Sequence, residues 1–107
     1  MKIEFEEEYL RELFEEGRAS GKKHRYQPQV IIQYKKTINR LRDARRIEDL
    51  YFIGSLNYEK LSGKKNGLES VRVNEQYRIE FKSREEGEDP QTITVCSIVE
   101  LSNHYKR

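Results

Sequence analysis

Hydrophobic positions change period halfway along this chain. In the first half they recur at helical spacing. Tyr9, Leu10, Leu13 and Phe14 mark one helix, with Glu6–Glu8 at its positive end and Gly17 as its stop. Val30, Ile31, Tyr34, Ile38 and Leu41 form the inward stripe of a second helix, expected from about Gln29 to Arg46. Lys35, Lys36, Arg40 and Arg42 then face outward. Residues 18–28 between them read as a basic linker, and two amphipathic helices this close together predict a helical hairpin. Ahead of it, Lys2–Phe5 can start an edge strand. In the second half the period falls to two: Val71 and Val73 alternate with polar residues, as do Tyr77, Ile79 and Phe81. Thr92–Val99 is nearly continuous and β-branched, the pattern of a strand buried on both faces. Leu56–Leu61 is a weaker strand, and Arg84–Pro90 reads as an exposed turn. The elements predict a single α+β domain, a helical hairpin packed on a twisted antiparallel sheet of three to five strands.

The segment Ser70–Phe81, SVRVNEQYRIEF, carries more than a fold. A three-residue loop at Asn74–Gln76 pairs Val73 with Tyr77 and Val71 with Ile79, which keeps the apolar side chains on one face. The same register sets Arg72 directly opposite Arg78. Opposed residues have Cβ atoms roughly 4.5–5.5 Å apart, and like charges there destabilise the pair. Two arrangements can offset the repulsion. Glu80 lies diagonal to Arg72 and can complete a structural Arg–Glu–Arg cluster. Alternatively, the two guanidinium forks hold an anion such as phosphate.

Composition narrows the class. Apolar residues make up 35% of the 107 and charged residues 37%, so the core is small and the surface densely charged. No run approaches the ~18 apolar residues of a membrane span, and MKIEFEEEYL lacks a signal peptide's apolar core. Cys96 is the single cysteine, so an internal disulfide is impossible and cytoplasmic residence is the expectation. The two histidines, His24 and His104, are far apart, and neither CxxC nor HExxH occurs, so no metal site or other cofactor is expected. The net charge of +2 hides a division. Residues 1–16 carry seven glutamates, whereas residues 22–46 carry nine Lys and Arg against Asp43 alone. Such a basic segment suits a polyanion or an acidic protein, although many basic helix faces are simply solvated.

SVRVNEQYRIEF, YEKLSG at Tyr58–Gly63 and the terminal ELSNHYK at Glu100–Lys106 together resemble the RelE/ParE superfamily of bacterial type II toxins, and among them the HigB-like killer proteins. The resemblance implies a helical hairpin on a twisted sheet, a neighbouring helix-turn-helix antitoxin of the HigA type as partner, and, for most members, cleavage of messenger RNA on the ribosome. It also implies a site like that of the YoeB-type toxins: Glu59 as base, Arg78 for the phosphate, His104 as acid and Tyr105 beside it. Arg72, Lys60, Lys64 and Lys65 would hold the RNA backbone near the site, with Lys36 and Arg40 on the basic helix as docking residues. The reaction so implied is attack of a ribose 2′-OH on the adjacent phosphorus, which requires no metal. The superfamily also contains ParE proteins, which poison DNA gyrase and cleave no RNA. A third possibility is a degenerate toxin that keeps antitoxin binding alone. An acid–base pair favours the first of these, because a protein-binding poison has no use for one.

Overall fold

The computed structural model describes residues 1–103. His104 and Tyr105 lie outside the described residues. The elements are β1 (Lys2–Phe5), α1 (Glu8–Glu15), α2 (Pro28–Asp43), β2 (Glu59–Lys60), β3 (Glu69–Arg72), β4 (Tyr77–Glu86) and β5 (Ile93–Asn103). Short 3-10 turns at Ile47–Phe52 and Gly54–Leu56 join α2 to β2, and a third at Gly63–Lys65 joins β2 to β3. The five strands lie in the order β1-β5-β4-β3-β2. Strands β2 to β5 are antiparallel, and β1 adds to the far edge parallel to β5.

Both helices form as their apolar spacing requires. Leu10 and Leu13 of α1 are fully buried, and so are Tyr34, Ile38 and Leu41 of α2. Gly17, at φ 76°, closes α1 in the left-handed conformation that glycine adopts without strain, and its N–H returns to the Glu12 carbonyl at 3.1 Å. Pro28 opens α2, where a missing N–H costs nothing. That helix ends at Asp43, three residues short of the expected Arg46, because Ala44 and Arg46 are extended and Arg46 leads into the Ile47–Phe52 turn. The buried Tyr34 hydroxyl donates to the Leu10 carbonyl at 2.8 Å and ties the two helices together. Their apolar faces meet Val71, Ile79, Phe81, Cys96, Ile98 and Leu101 on one side of the sheet.

The strands differ from expectation in length more than in place. The expected Leu56–Leu61 strand shrinks to two residues behind a 3-10 turn, with Asn57 between them at φ 44°. The expected turn at Arg84–Pro90 begins later, since β4 runs on through Glu86 and pairs with Ile93–Val95. Strand β5 runs four residues past Val99 and contains a bulge. Glu80 pairs with Glu100 and Phe81 with Ile98, which leaves Val99 without a partner in the ladder. The bulge resets the alternation, so that Leu101 follows Cys96 and Ile98 into the core while Glu100 stays in solvent.

Replacing Tyr34 by Phe should keep the helix packing and cost about 1 kcal/mol, the net worth of one intramolecular hydrogen bond. Urea denaturation of both proteins measures this. An unchanged midpoint would mean that the Tyr34–Leu10 bond adds nothing to apolar burial.

Candidate functional site

The β3–β4 hairpin has the register that the alternation predicts. Arg72 pairs with Arg78 and Val71 with Ile79, and the Val73 N–H closes the loop on the Tyr77 carbonyl at 3.0 Å. The Asn74 side chain accepts from the Gln76 and Tyr77 N–H groups at 2.7 and 2.8 Å, which fixes the turn. The apolar members face the helices, and Ser70, Arg72, Arg78 and Glu80 are left on the opposite face.

The two arginines then part. Arg78 is buried: its Nε donates to Ser70 Oγ at 3.0 Å and an Nη to the Asn57 carbonyl at 2.6 Å. The polar face is covered here because residues 54–65 fold back over it. Arg72 stands two residues beyond the end of the β2 ladder and is exposed, with Glu75 as its ion-pair partner at 4.0 Å. Glu80, also buried, takes its ion pair from Lys65 at 2.6 Å. The Arg–Glu–Arg cluster through Arg72 does not form; a lysine from the covering loop satisfies Glu80 instead.

What the loop and sheet enclose is a cleft of about 250 Å³. Glu59, Leu61 and Lys65 line it from the loop side, Ser70, Arg78 and Glu80 from the sheet, and Ser102 and Asn103 from the end of β5. Three of the expected site residues, Glu59, Lys65 and Arg78, thus meet in one cleft at which the described chain ends. Ser102 enters because the bulge makes it the ladder partner of Arg78. The titratable groups Arg78, Lys65, Glu59 and Glu80 balance in formal charge. With Glu80 occupied by Lys65, Glu59 is the exposed carboxylate at the rim. A carboxylate in that position can accept a proton, and a guanidinium held in place, as Arg78 is by Ser70 and the Asn57 carbonyl, needs little reorganisation to stabilise an anion.

The remaining expected residues distribute around the cleft. Lys60 points to the other side of β2, toward a second hollow that it shares with Tyr51 and Glu69. Lys64 is exposed on the turn beside Lys65. Arg72 joins Lys36 and Arg40 in a separate groove of about 440 Å³ between α2 and the hairpin tip, where Arg40 donates to Ser55 Oγ at 2.8 Å.

Several supporting residues escaped the sequence reading. Ser70 could have been found, since the hairpin register sets it opposite Glu80 and diagonal to Arg78. Ser102 needs the bulge. Behind the cleft, on the core face, the buried Glu69 carboxylate accepts from the Tyr58 and Ser83 hydroxyls, each at 2.6 Å. Burial, and then the Glu69 carboxylate, hold the Tyr58 hydroxyl well above the ordinary phenol range, so it stays protonated as the donor. This pair moors the residue next to Glu59.

The fold is similar to that of a YoeB/ParE toxin from Agrobacterium tumefaciens, with a TM-score of 0.59 at 15% identity over 98% of this chain and 100% of the other. The family model for RelE-like toxins of the type II toxin–antitoxin system HigB matches residues 3–92. No curated protein sequence matches the chain. The chain belongs to the HigB-like toxin family, whose type II systems imply a cognate antitoxin as partner. The matched span stops one residue before β5, so Ser102, Asn103, His104 and Tyr105 all fall beyond it.

Lys65→Ala should destabilise the fold by about 1–2 kcal/mol, less than the 3–5 kcal/mol typical of a fully buried pair because Lys65 is half-exposed. Adding Glu80→Gln to Lys65→Ala should recover part of that loss, since it removes the unpaired buried charge. Additive losses in a denaturation cycle would show that the two side chains do not interact.

Proposed function

We propose that this toxin is an endoribonuclease that cleaves messenger RNA in the cytoplasm, on the ribosome. The observation that supports it most is the convergence of Glu59, Arg78 and the end of β5 on one cleft. In the proposed reaction Glu59 takes the proton of a ribose 2′-OH as that oxygen bonds to the adjacent phosphorus. Arg78 faces the phosphate oxygens and stabilises the added negative charge. The bond from phosphorus to the 5′-oxygen breaks, and that oxygen takes a proton from His104. The products are a 2′,3′-cyclic phosphate and a free 5′-OH, with no metal required. Tyr105 stacks on a base or hydrogen-bonds the phosphate.

The end of β5 belongs to the same site: Ser102 is opposite Arg78, and Asn103 also lines the cleft. Lys60, Lys64 and Lys65 on the covering loop can hold flanking phosphates. Lys36, Arg40 and Arg72 can dock ribosomal RNA in the groove beside α2. A helix-turn-helix antitoxin of the HigA type would neutralise the protein. The second reading, a gyrase poison of the ParE class, has no role for Glu59 and Arg78 at one cleft.

Glu59→Gln, Arg78→Ala and His104→Ala should each slow cleavage by about 10²–10⁴-fold. Primer extension on message after induction reads this directly: discrete new 5′ ends with the wild type, lost in the variants. DNA breaks with intact message would favour the gyrase reading. Arg78 is buried, so Arg78→Lys checks that lost activity is not lost folding. Reversing the charge at Lys36 and Arg40 should weaken ribosome association and flatten its salt dependence. Unaltered co-sedimentation across a salt series would remove the α2 groove from the docking surface.

A further inference from the structure

The loop between α1 and α2 has a part that the proposed chemistry does not use. Along residues 22–27 the side chains alternate: Lys23 and Arg25 are exposed, His24 and Tyr26 are half-buried. The His24 ring lies flat on Tyr9, with centroids 3.6 Å apart and 4° between the planes. The Tyr9 hydroxyl in turn accepts from the Leu101 N–H at 3.4 Å. Tyr26 meets Tyr77 edge-on, with centroids 5.5 Å apart at 77°, and Tyr77 is the ladder partner of Asn103. The start of the loop is moored separately, because Ser20 donates to the Glu12 carboxylate from its hydroxyl at 2.7 Å and from its N–H at 3.3 Å.

Through Tyr9 and Tyr77 both aromatic contacts connect to the same short stretch of β5, Leu101–Asn103. The β1 ladder ends at Phe5 opposite Ile98, followed by one bond from the Glu6 N–H to the Ile98 carbonyl. Past the bulge at Val99 the outer edge of β5 has no neighbouring strand among the described residues. A bulged strand end lacking a second neighbour is the part of a sheet most given to fraying. Here the first reinforcement comes from Tyr9, with His24 stacked against it, and the second from Tyr26 through Tyr77.

We propose that the α1–α2 loop is a strap that fixes the end of β5, with His24 and Tyr26 as positioning residues for Ser102 and Asn103, the wall that this strand gives the cleft. Its consequence for cleavage rests on the reading of Glu59, Arg78 and His104 as one site. The strap sets where Leu101–Asn103 lie, and Ser102 within that stretch is the ladder partner of Arg78. A misplacement of about 1 Å can cost on the order of 10²-fold in rate, so a strap that removes fraying acts on turnover and leaves RNA binding alone.

The test compares the wild type with His24→Ala, Tyr26→Ala and Tyr26→Phe by amide hydrogen exchange and by cleavage of message on ribosomes. Exchange at Leu101 and Asn103 should accelerate on the order of tenfold in the two alanine variants, while Val95 and Cys96 on the same strand keep their protection. In those variants kcat should fall about tenfold with KM little changed, and Tyr26→Phe, which keeps the ring edge, should restore both readouts. Unchanged exchange at Leu101 and Asn103 overturns the strap. Faster exchange with unchanged kcat overturns the positioning role. If the wild type cleaves no RNA, the ribonuclease reading fails, and the exchange result alone decides whether the loop holds the strand.

Discussion

The single unpaired residue Val99 sets the phase of everything after it. Up to Ile98, β5 alternates regularly, with Cys96 and Ile98 in the core. A strict continuation would turn Glu100 toward the helices, where an unpaired carboxylate costs several kcal/mol. The bulge inserts one residue, sends Leu101 inward in place of Glu100, and delivers Ser102 to Arg78 on the opposite face. Core and cleft therefore depend on the same irregularity. Taking Val99 into the ladder would exchange the two faces of the strand end, exposing Leu101 and removing Ser102 from the cleft.

The hairpin register of Arg72 and Arg78 is the opposite case, a feature that follows from alternation alone. Five apolar residues and a three-residue loop admit one pairing that keeps a clean core face, and that pairing occurs. What alternation cannot reach is the environment of each arginine. Equivalent on the ladder, the two differ because residues 54–65 cover one and not the other. That covering segment is built from 3-10 turns and a two-residue strand, which leave no periodic trace. The same blindness explains the missed Ile47–Phe52 turn and the misplaced end of α2. It also explains why Lys65, read as one of several loop lysines, is the partner of a buried glutamate. Helices and long strands announce themselves through burial at a fixed period; a loop that closes a cleft does so through individual hydrogen bonds.

The family match and the cleft divide the chain differently. Residues 3–92 carry the helices, the hairpin and both sides of the covering loop, and these suffice to place the chain among HigB-like toxins. The last strand, outside that span, makes the greater part of the sheet's long-range pairing: it has ladder partners in β1 on one side and along all of β4 on the other. A segment can be structurally central and still poorly constrained in type, because backbone pairing is indifferent to side chains on the outward face. Its described end, Ser102 and Asn103, is the part that lines the cleft.

Glu59 and Arg78, the two proposed site residues that meet in the cleft, are held in unlike ways, and this bears on how such a site works. Glu59 sits on a strand of two residues, exposed, and owes its position to its neighbours: Tyr58 anchored on Glu69, and the ladder bond partner Ser70 across from it. Arg78 is buried in the middle of the sheet with its guanidinium fixed by Ser70 and the Asn57 carbonyl. Ser70 thus touches both, pairing with Glu59 through the backbone and with Arg78 through its hydroxyl. Preorganised charge is most effective where it need not move during the reaction, and the arginine meets that condition. A proton acceptor has a different requirement, access to solvent and substrate before closure, and an exposed carboxylate on a short, moored edge strand meets it. Rigidity for the group that stabilises charge and access for the group that moves a proton follow from placing one at the sheet's centre and the other at its margin.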